Sequence, residues 1–247
     1  MEEIFKLYEG LSRQGPGSFM ATRRALRSVE KNLPNNPLIL DVGCGAGAQT
    51  LALAELISGS ITAVDIHQPY LDQLLIYASR SKLKATINCL NQDMQSLSFP
   101  AQTFDLIWSE GAIYLIGFEA GLNTWQPLLK AGGFMVVSEM SLFLENPSHV
   151  VKQYWQNYYP QIMTVEENLS VIERSGFDII DYFALTADAW WQNYYDPLLN
   201  RIGQMRNVSD KYGDMQEIIS ETVEEIEMFK NYSDQYGYEF YIMQKTK

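Results

Sequence analysis

A glycine-rich turn and three acids are the residues whose types and spacing point most directly to chemistry. Asp41-Val42-Gly43-Cys44-Gly45-Ala46-Gly47-Ala48 closes an apolar run over 38–42. A chain that turns sharply from strand into helix, or that must approach a ligand with its backbone, needs glycine there. The helix that follows would offer free N–H groups to negative charge. Gly43, Gly45 and Ala48 satisfy the G-x-G-x-x-[GA] pattern of dinucleotide sites. Asp65 ends the next β-rich run, near the ~20-residue offset at which an acid meets ribose hydroxyls. Taken alone, these features permit NAD. The glycines also read as G-x-G-x-G, with Asp41 two residues before the first. A pyrophosphate has no use for a carboxylate beside it, whereas an ammonium group does. Asp93, in Asn91-Gln92-Asp93-Met94, follows a third β-rich run. Acids after three successive strands suit a ligand with amino, ribose and adenine-amino donors and no phosphate.

Groups able to move a proton are few. His67 sits beside Asp65, and His149 ends Asn146-Pro147-Ser148-His149; Glu110, Tyr114 and Glu139 are the other candidates. None belongs to a Ser/His/Asp or metal-ligand constellation, so hydrolytic and metal mechanisms gain no support and no metal is expected. The two cysteines, Cys44 and Cys89, form no C-x-x-C pair and suggest neither a disulfide framework nor a zinc site. Aromatic residues number 19 in 141–247 against 12 in 1–140. Trp155, Tyr158, Tyr159, Trp190, Trp191, Tyr194 and Tyr195 are dense among them, and their apolar faces with polar tips suit a small organic substrate in a covered pocket. Ordinary core packing or a dimer interface would use the same residues. Within this group Trp-Gln-Asn-Tyr-Tyr occurs twice, at 155–159 and 191–195, with unmatched flanks. Near the N-terminus, Tyr8 and Arg13 are expected to line the mouth of the site, and Ser18 to cap the helix after it. Trp155, Tyr158, Trp191 and Tyr194 complete the expected substrate pocket.

These residues require a scaffold of alternating elements. Strands are expected at 38–42, 61–65, 86–90, 104–109 and 134–139, with helices at 47–57 and 69–81 and a tight turn over 130–133. That alternation implies βαβ units and a parallel sheet with helices on both faces. A helix over 165–175 stopped by Gly176, and strands at 177–185 and 237–244, complete the pattern. Between the last two strands, 214–232 carries an apolar stripe, and its glutamates are expected to face solvent. No Gly/Ser-rich or Pro-rich linker divides the chain, so a single domain with insertions is expected.

The chain has 247 residues, 47% of them apolar, enough to bury a full core. Its 30 acids and 18 bases give a net charge of −12. Such a surface repels phosphate backbones and anionic lipid, which disfavours nucleic acid and membrane as partners. No basic-then-apolar leader and no spanning run of ~18 apolar residues is visible, so a cytoplasmic location is expected. The Asn-x-Ser sequons at Asn168, Asn207 and Asn231 then read as chance.

Five ordered pieces carry a resemblance: 40–47 (LDVGCGAG), 63–67 (AVDIH), 91–94 (NQDM), 97–109 (LSFPAQTFDLIWS) and 128–139 (LLKAGGFMVVSE). Over roughly residues 34–140 the chain resembles class I S-adenosylmethionine-dependent methyltransferases, in particular the quinone and sterol methyltransferase-like group that acts on small molecules. The resemblance implies a Rossmann-like α/β fold with a seven-stranded sheet of order 3-2-1-4-5-7-6 and an antiparallel strand 7. It divides the single domain into an N-terminal helical cover (1–33), a cofactor-binding core (34–140), and remaining strands with helical substrate-cover insertions (141–247). It implies S-adenosylmethionine as cofactor and S-adenosylhomocysteine as product. By the same resemblance Gly43, Gly45 and Gly47 lie against the methionine part, with Asp41 near its ammonium group. Asp65 accepts the ribose hydroxyls, Ile66 packs on adenine, and Asp93 takes the adenine amino group with Met94 beside the ring. Ser109 and Glu110 border the cofactor and the methyl-transfer zone. Methyl transfer is a direct displacement at a sulfonium carbon, so alignment and exclusion of water are its main demands. A base is needed only for an acceptor of high pKa, and Glu110, Tyr114 and His149 are the expected candidates. A monomer or homodimer is expected. A binding module without catalysis and an NAD-dependent oxidoreductase are the competing readings.

Overall fold

The computed structural model describes residues 2–205 and 214–246. The Asn207 sequon and the start of the acidic stretch beyond 210 lie outside the described residues. The chain opens with α1 (Glu2–Tyr8) and α2 (Phe19–Arg27), then enters the alternation β1 (Leu38–Val42), α3 (Ala48–Leu56), β2 (Gly59–Asp65), α4 (Gln68–Arg80), β3 (Ala85–Asn91). It continues through β4 (Phe104–Glu110), α5 (Phe118–Trp125), β5 (Leu129–Leu142), α6 (His149–Tyr158), β6 (Met163–Thr164), α7 (Val165–Arg174) and β7 (Phe177–Ala184). A short α8 (Ala187–Trp190) runs into a π-helical turn over Trp191–Tyr195 and then α9 (Asp196–Met205); α10 (Met215–Tyr232) and β8 (Tyr236–Lys245) complete it.

The main sheet path is β3-β2-β1-β4-β5-β8-β7, with β8 antiparallel to both of its neighbours and the rest parallel. That is the expected order; only the numbering moves, because the two-residue β6 pairs with β5 off this path. The central strands are buried on both faces, as parallel strands covered by crossovers must be. On one face Ile39, Trp108, Val136 and Phe240 pack with α2, α6 and the late helices. On the other, Leu40, Ile107, Val137 and Tyr241 pack with α5 and α7.

Local chemistry sets the boundaries. Ser18 accepts from Ala21 N and starts α2 as expected. Thr164 and Glu167 form a capping box that starts α7, and Gly176 ends it at φ +80°. Two expectations need correction. The turn over 130–133 is an irregular bulge within β5: Leu129 still pairs with Phe104, and pairing resumes at Phe134 opposite Leu106. The glutamates of α10 do not all face solvent. Glu225 is drawn inward, where it accepts a 2.8 Å hydrogen bond from the Tyr195 hydroxyl. Asn168, read as a chance sequon, is buried and donates to Ser141 Oγ and Tyr241 Oη. No described helix is long and apolar enough to cross a membrane.

Candidate active site

The C-terminal ends of β1, β2 and β4 open onto a cavity of about 520 Å³, the end of an open α/β sheet at which ligands bind. Its walls include Gly43 and Gly45 after β1, Asp65 and Ile66 after β2, and Asp93 and Met94 after β3. Glu110, Gly111 and Tyr114 close one side, and Tyr8, Arg13 and Gln14 cross over from the N-terminal segment.

The turn after β1 is held by its own hydrogen bonds. Gly43 N and Cys44 N donate to Val64 O at 2.9 and 3.0 Å, and Gly47 N donates to Cys44 O at 2.9 Å. Gly45 N donates to Asp65 Oδ2 and Ala46 N to Gln14 Oε1, both at 2.8 Å. All five N–H groups from 43 to 47 are therefore engaged, which leaves this turn poorly suited to wrap a pyrophosphate. Glycine is required for two reasons. Gly43 and Gly45 have φ of +69° and +53°, and a Cβ on either would collide with Ala112 or Gln14 and fill the cradle. Asp65 is fixed by a second bond, from His67 N to Oδ1 at 2.9 Å. Its carboxylate thus faces the cavity in one orientation, with each oxygen keeping acceptor capacity. Ile66 is 63% exposed at the rim, an uncommon setting for a large aliphatic side chain. Exposed Asp93 accepts from Gln95 N at 2.9 Å through Oδ1, an Asx turn that leaves Oδ2 toward solvent.

Glu110 is not a free base. Its Oε1 accepts from Thr22 Oγ1 at 2.7 Å and Trp108 Nε1 at 3.0 Å, and its Oε2 pairs with Arg13 Nη1 at 3.3 Å. Tyr114 stands in a 3₁₀ turn after β4, and burial lifts its phenol to about 12. It is a neutral hydrogen-bond donor at ordinary pH, not a base. Tyr8 bonds the Tyr194 hydroxyl at 2.9 Å and is shifted upward by burial.

Other expected residues stand elsewhere. Asp41 is fully buried, and its oxygens accept from Gln49 Nε2 and Thr50 Oγ1 in the first turn of α3. It braces the strand-to-helix turn instead of reaching the cavity, and burial raises its pKa to about 7. Gly47, at φ +86°, is the N-cap of α3 beneath Leu74. Ser109 and Glu110 lie within β4, not past it; Ser109 is wholly buried and outside the cavity lining. His149 is the exposed first residue of α6 and cannot reach the cavity. Trp155 packs edge-on to Tyr236, and Tyr158 donates outward to Glu224. Trp191 leans on Tyr195. Neither these three aromatics nor Tyr194, which meets the cavity only through Tyr8, lines it. Residues not singled out from sequence include Gln14, Phe5 and Tyr70; the last two form a ring cluster with His67, on which Phe5 stacks at 3.9 Å. The signal for Phe5 was the amphipathic start of α1, which pairs it with Tyr8 on one face.

The sequence comparisons agree with this geometry. Residues 39–133 match the family of methyltransferase domains. The sterol 24-C-methyltransferase ERG6B of Gibberella zeae is 24% identical over 181 residues, 70% of this chain and 48% of that one. The chain thus spans about half the length of the curated sterol methyltransferases it matches. A methyltransferase from Geobacter sulfurreducens, solved with S-adenosylhomocysteine, superposes with a TM-score of 0.82 at 17% identity and covers 99% of this chain and 98% of its own. The [4+2]-cyclase SpnF superposes with a TM-score of 0.73 at 20% identity, covering 99% and 92%, so the fold alone does not dictate the reaction. The matched stretch and the strand order give this chain the fold of the class I S-adenosylmethionine-dependent methyltransferases.

Proposed function

We propose that the chain binds S-adenosylmethionine in the cavity at the ends of β1, β2 and β4 and transfers its methyl group to a small organic molecule. The observation that carries this reading is the saturated turn over 43–47 beside a fixed carboxylate. A dinucleotide would find no free N–H over 43–47 for its pyrophosphate, whereas a cationic, phosphate-free nucleoside needs none and can still place its ribose on Asp65. In this reading Gly43 and Gly45 lie along the cofactor, Asp65 accepts from its ribose, Ile66 and Met94 flank its base, and Asp93 Oδ2 accepts its amino group. Asp41 and Gly47 act indirectly, by shaping the turn. Residues 34–140 hold the cofactor, and 1–33 and 141–247 cover the acceptor.

When bound, the cofactor supplies a methyl carbon activated by a sulfonium sulfur. The remaining work falls to the chain. The Tyr8–Tyr194 bond and the Arg13–Glu110 pair close the N-terminal segment over the cavity and exclude water. Tyr114 donates a hydrogen bond toward the acceptor side and helps to align it. Titration calorimetry with S-adenosylmethionine and with NAD tests the assignment. S-adenosylmethionine is expected to bind and NAD to show no measurable heat; tighter binding of NAD would overturn it.

A further inference from the structure

Among the described residues, eight buried side-chain polar atoms have no hydrogen-bond partner, and five of them fall in one region. These are Trp155 Nε1, Trp190 Nε1 and Tyr236 Oη, together with Glu139 Oε2 and Tyr159 Oη, which face each other without a well-formed hydrogen bond. Buried polar groups are nearly always satisfied, so such a concentration calls for an explanation. The region lies beyond Tyr114, under the cover formed by α6, the π turn and α10. Tyr114 connects it to the cavity, its ring 5.9 Å from that of Tyr159 and edge-on to it. Tyr238, behind Gly111 of the cavity wall, stacks on Trp190 at 5.3 Å. Trp155 and Tyr236 stand edge-on at 5.0 Å.

Two carboxyls, one buried and one half-buried, belong to this aromatic enclosure. Glu139 lies near the C-terminal end of β5 and is 1% exposed. No described residue forms an ion pair with it. Glu225 of α10 is held by Tyr195, and its charge bears on Tyr8, Tyr114 and Tyr238. Aromatic faces attract cations, and a carboxylate out of water needs one. An acceptor bearing phosphate or carboxylate would be repelled here, and a wholly apolar one would leave the polar atoms unsatisfied.

We propose that the acceptor is an amine, bound as its ammonium form among Tyr114, Tyr159 and Tyr238, with Glu139 as the group that receives its proton. This rests on the methyltransferase reading and specifies its substrate class. In the step, an ammonium N–H passes its proton to the Glu139 carboxylate. The freed nitrogen lone pair forms the C–N bond as the C–S bond breaks, and the sulfur keeps that electron pair as a neutral thioether. Burial lifts Glu139 to about 8, against a smaller opposite effect of the Tyr159 hydroxyl, so a cation entering beside it draws out the proton. The groups facing it are Tyr114 from the 3₁₀ turn, Tyr159 after α6, and Tyr238, Glu239 and Tyr241 from β8.

The test is titration calorimetry on the full chain saturated with S-adenosylhomocysteine. The probes are trimethylammonium compounds carrying methyl, hydroxyethyl or benzyl groups, each set against its uncharged tert-butyl isostere. At least one cationic probe is expected to bind tenfold or more tighter than its isostere. Its affinity should rise from pH 6 to 9 in the wild type and stay flat in E139Q. Equal binding of the pair, or no binding of any probe while S-adenosylhomocysteine binds, overturns the amine assignment and points to a hydroxyl or carbon acceptor. A preference for the cation that E139Q retains in full overturns the role of Glu139. Failure of S-adenosylhomocysteine itself to bind overturns the underlying methyltransferase reading, and this one with it.

Discussion

At the residue scale, two aspartates of the site answer to different neighbours. Asp65 faces the cavity with both oxygens anchored by backbone N–H groups, while Asp41, one strand away, spends its oxygens on Gln49 and Thr50. Replacing Asp65 by Ala removes a charged acceptor from the cavity edge proposed to meet the ribose and releases Gly45 N. The loss should be about 1–3 kcal/mol of cofactor binding, roughly a tenfold to hundredfold rise in Kd by titration calorimetry. An unchanged Kd would remove Asp65 from the site. Sequence spacing brought Asp65, Ile66, Asp93 and Met94 to the cavity wall because each lies at or within three residues of a strand's C-terminal end. It could not separate Asp41 from them. Whether a carboxylate one strand inward meets ligand or helix depends on the partners α3 brings, here Thr50 and Gln49.

At the scale of elements, the N-terminal helices are bound to the sheet by buried polar contacts more than by length of chain. Arg13 and Thr22 both converge on Glu110 of β4, Asn193 of the π turn donates to Gly17 O, and Arg201 of α9 donates to Lys6 O. Arg13→Ala would leave Glu110 buried beside the cavity without its cation. The expected cost is about 3 kcal/mol in chemical denaturation, as for other broken buried pairs. Adding Glu110→Gln should recover part of that loss; a single variant as stable as wild type would show the cover to be held otherwise. The strands, α3, α4 and α7 were legible because their periodicity and caps are local. The aromatic cover was not. The same Trp-Gln-Asn-Tyr-Tyr ends α6 at 155–159 and forms a π-helical turn at 191–195. In the second copy Tyr194 reaches Tyr8 and Tyr195 reaches Glu225, while in the first Tyr158 points outward to Glu224. Identical pentapeptides separate only through what packs against them, so spacing placed Trp155, Tyr158 and Trp191 in a pocket they do not line.

At the scale of the whole molecule, the net charge of −12 divides unevenly. Residues 1–140 hold 13 acids and 10 bases, and residues 141–247 hold 17 acids and 8 bases. The consequence for stability comes from the acids that folding buries, not from the exposed ones on α10. Burial raises Asp41 and Glu239 to about 7 and Glu139 to about 8, and raises Glu225 as well. In the unfolded chain these groups ionise near their ordinary values of ~4. Between there and about 8 the unfolded state has released protons that the folded state still holds. The folded state therefore binds more protons, and stability falls as pH rises through that window, levelling once the folded groups also ionise. Calorimetric scans of the ligand-free chain from pH 5 to 8.5 should show Tm decreasing by several degrees, with most of the loss complete by pH 8. Glu139→Gln should flatten the upper part of that decline, because its amide has no proton to lose. A Tm that rises over this range would mean that the buried carboxyls find compensating partners. Bound cation should reverse the trend locally, since an ammonium beside Glu139 stabilises the ionised form that the empty enclosure disfavours.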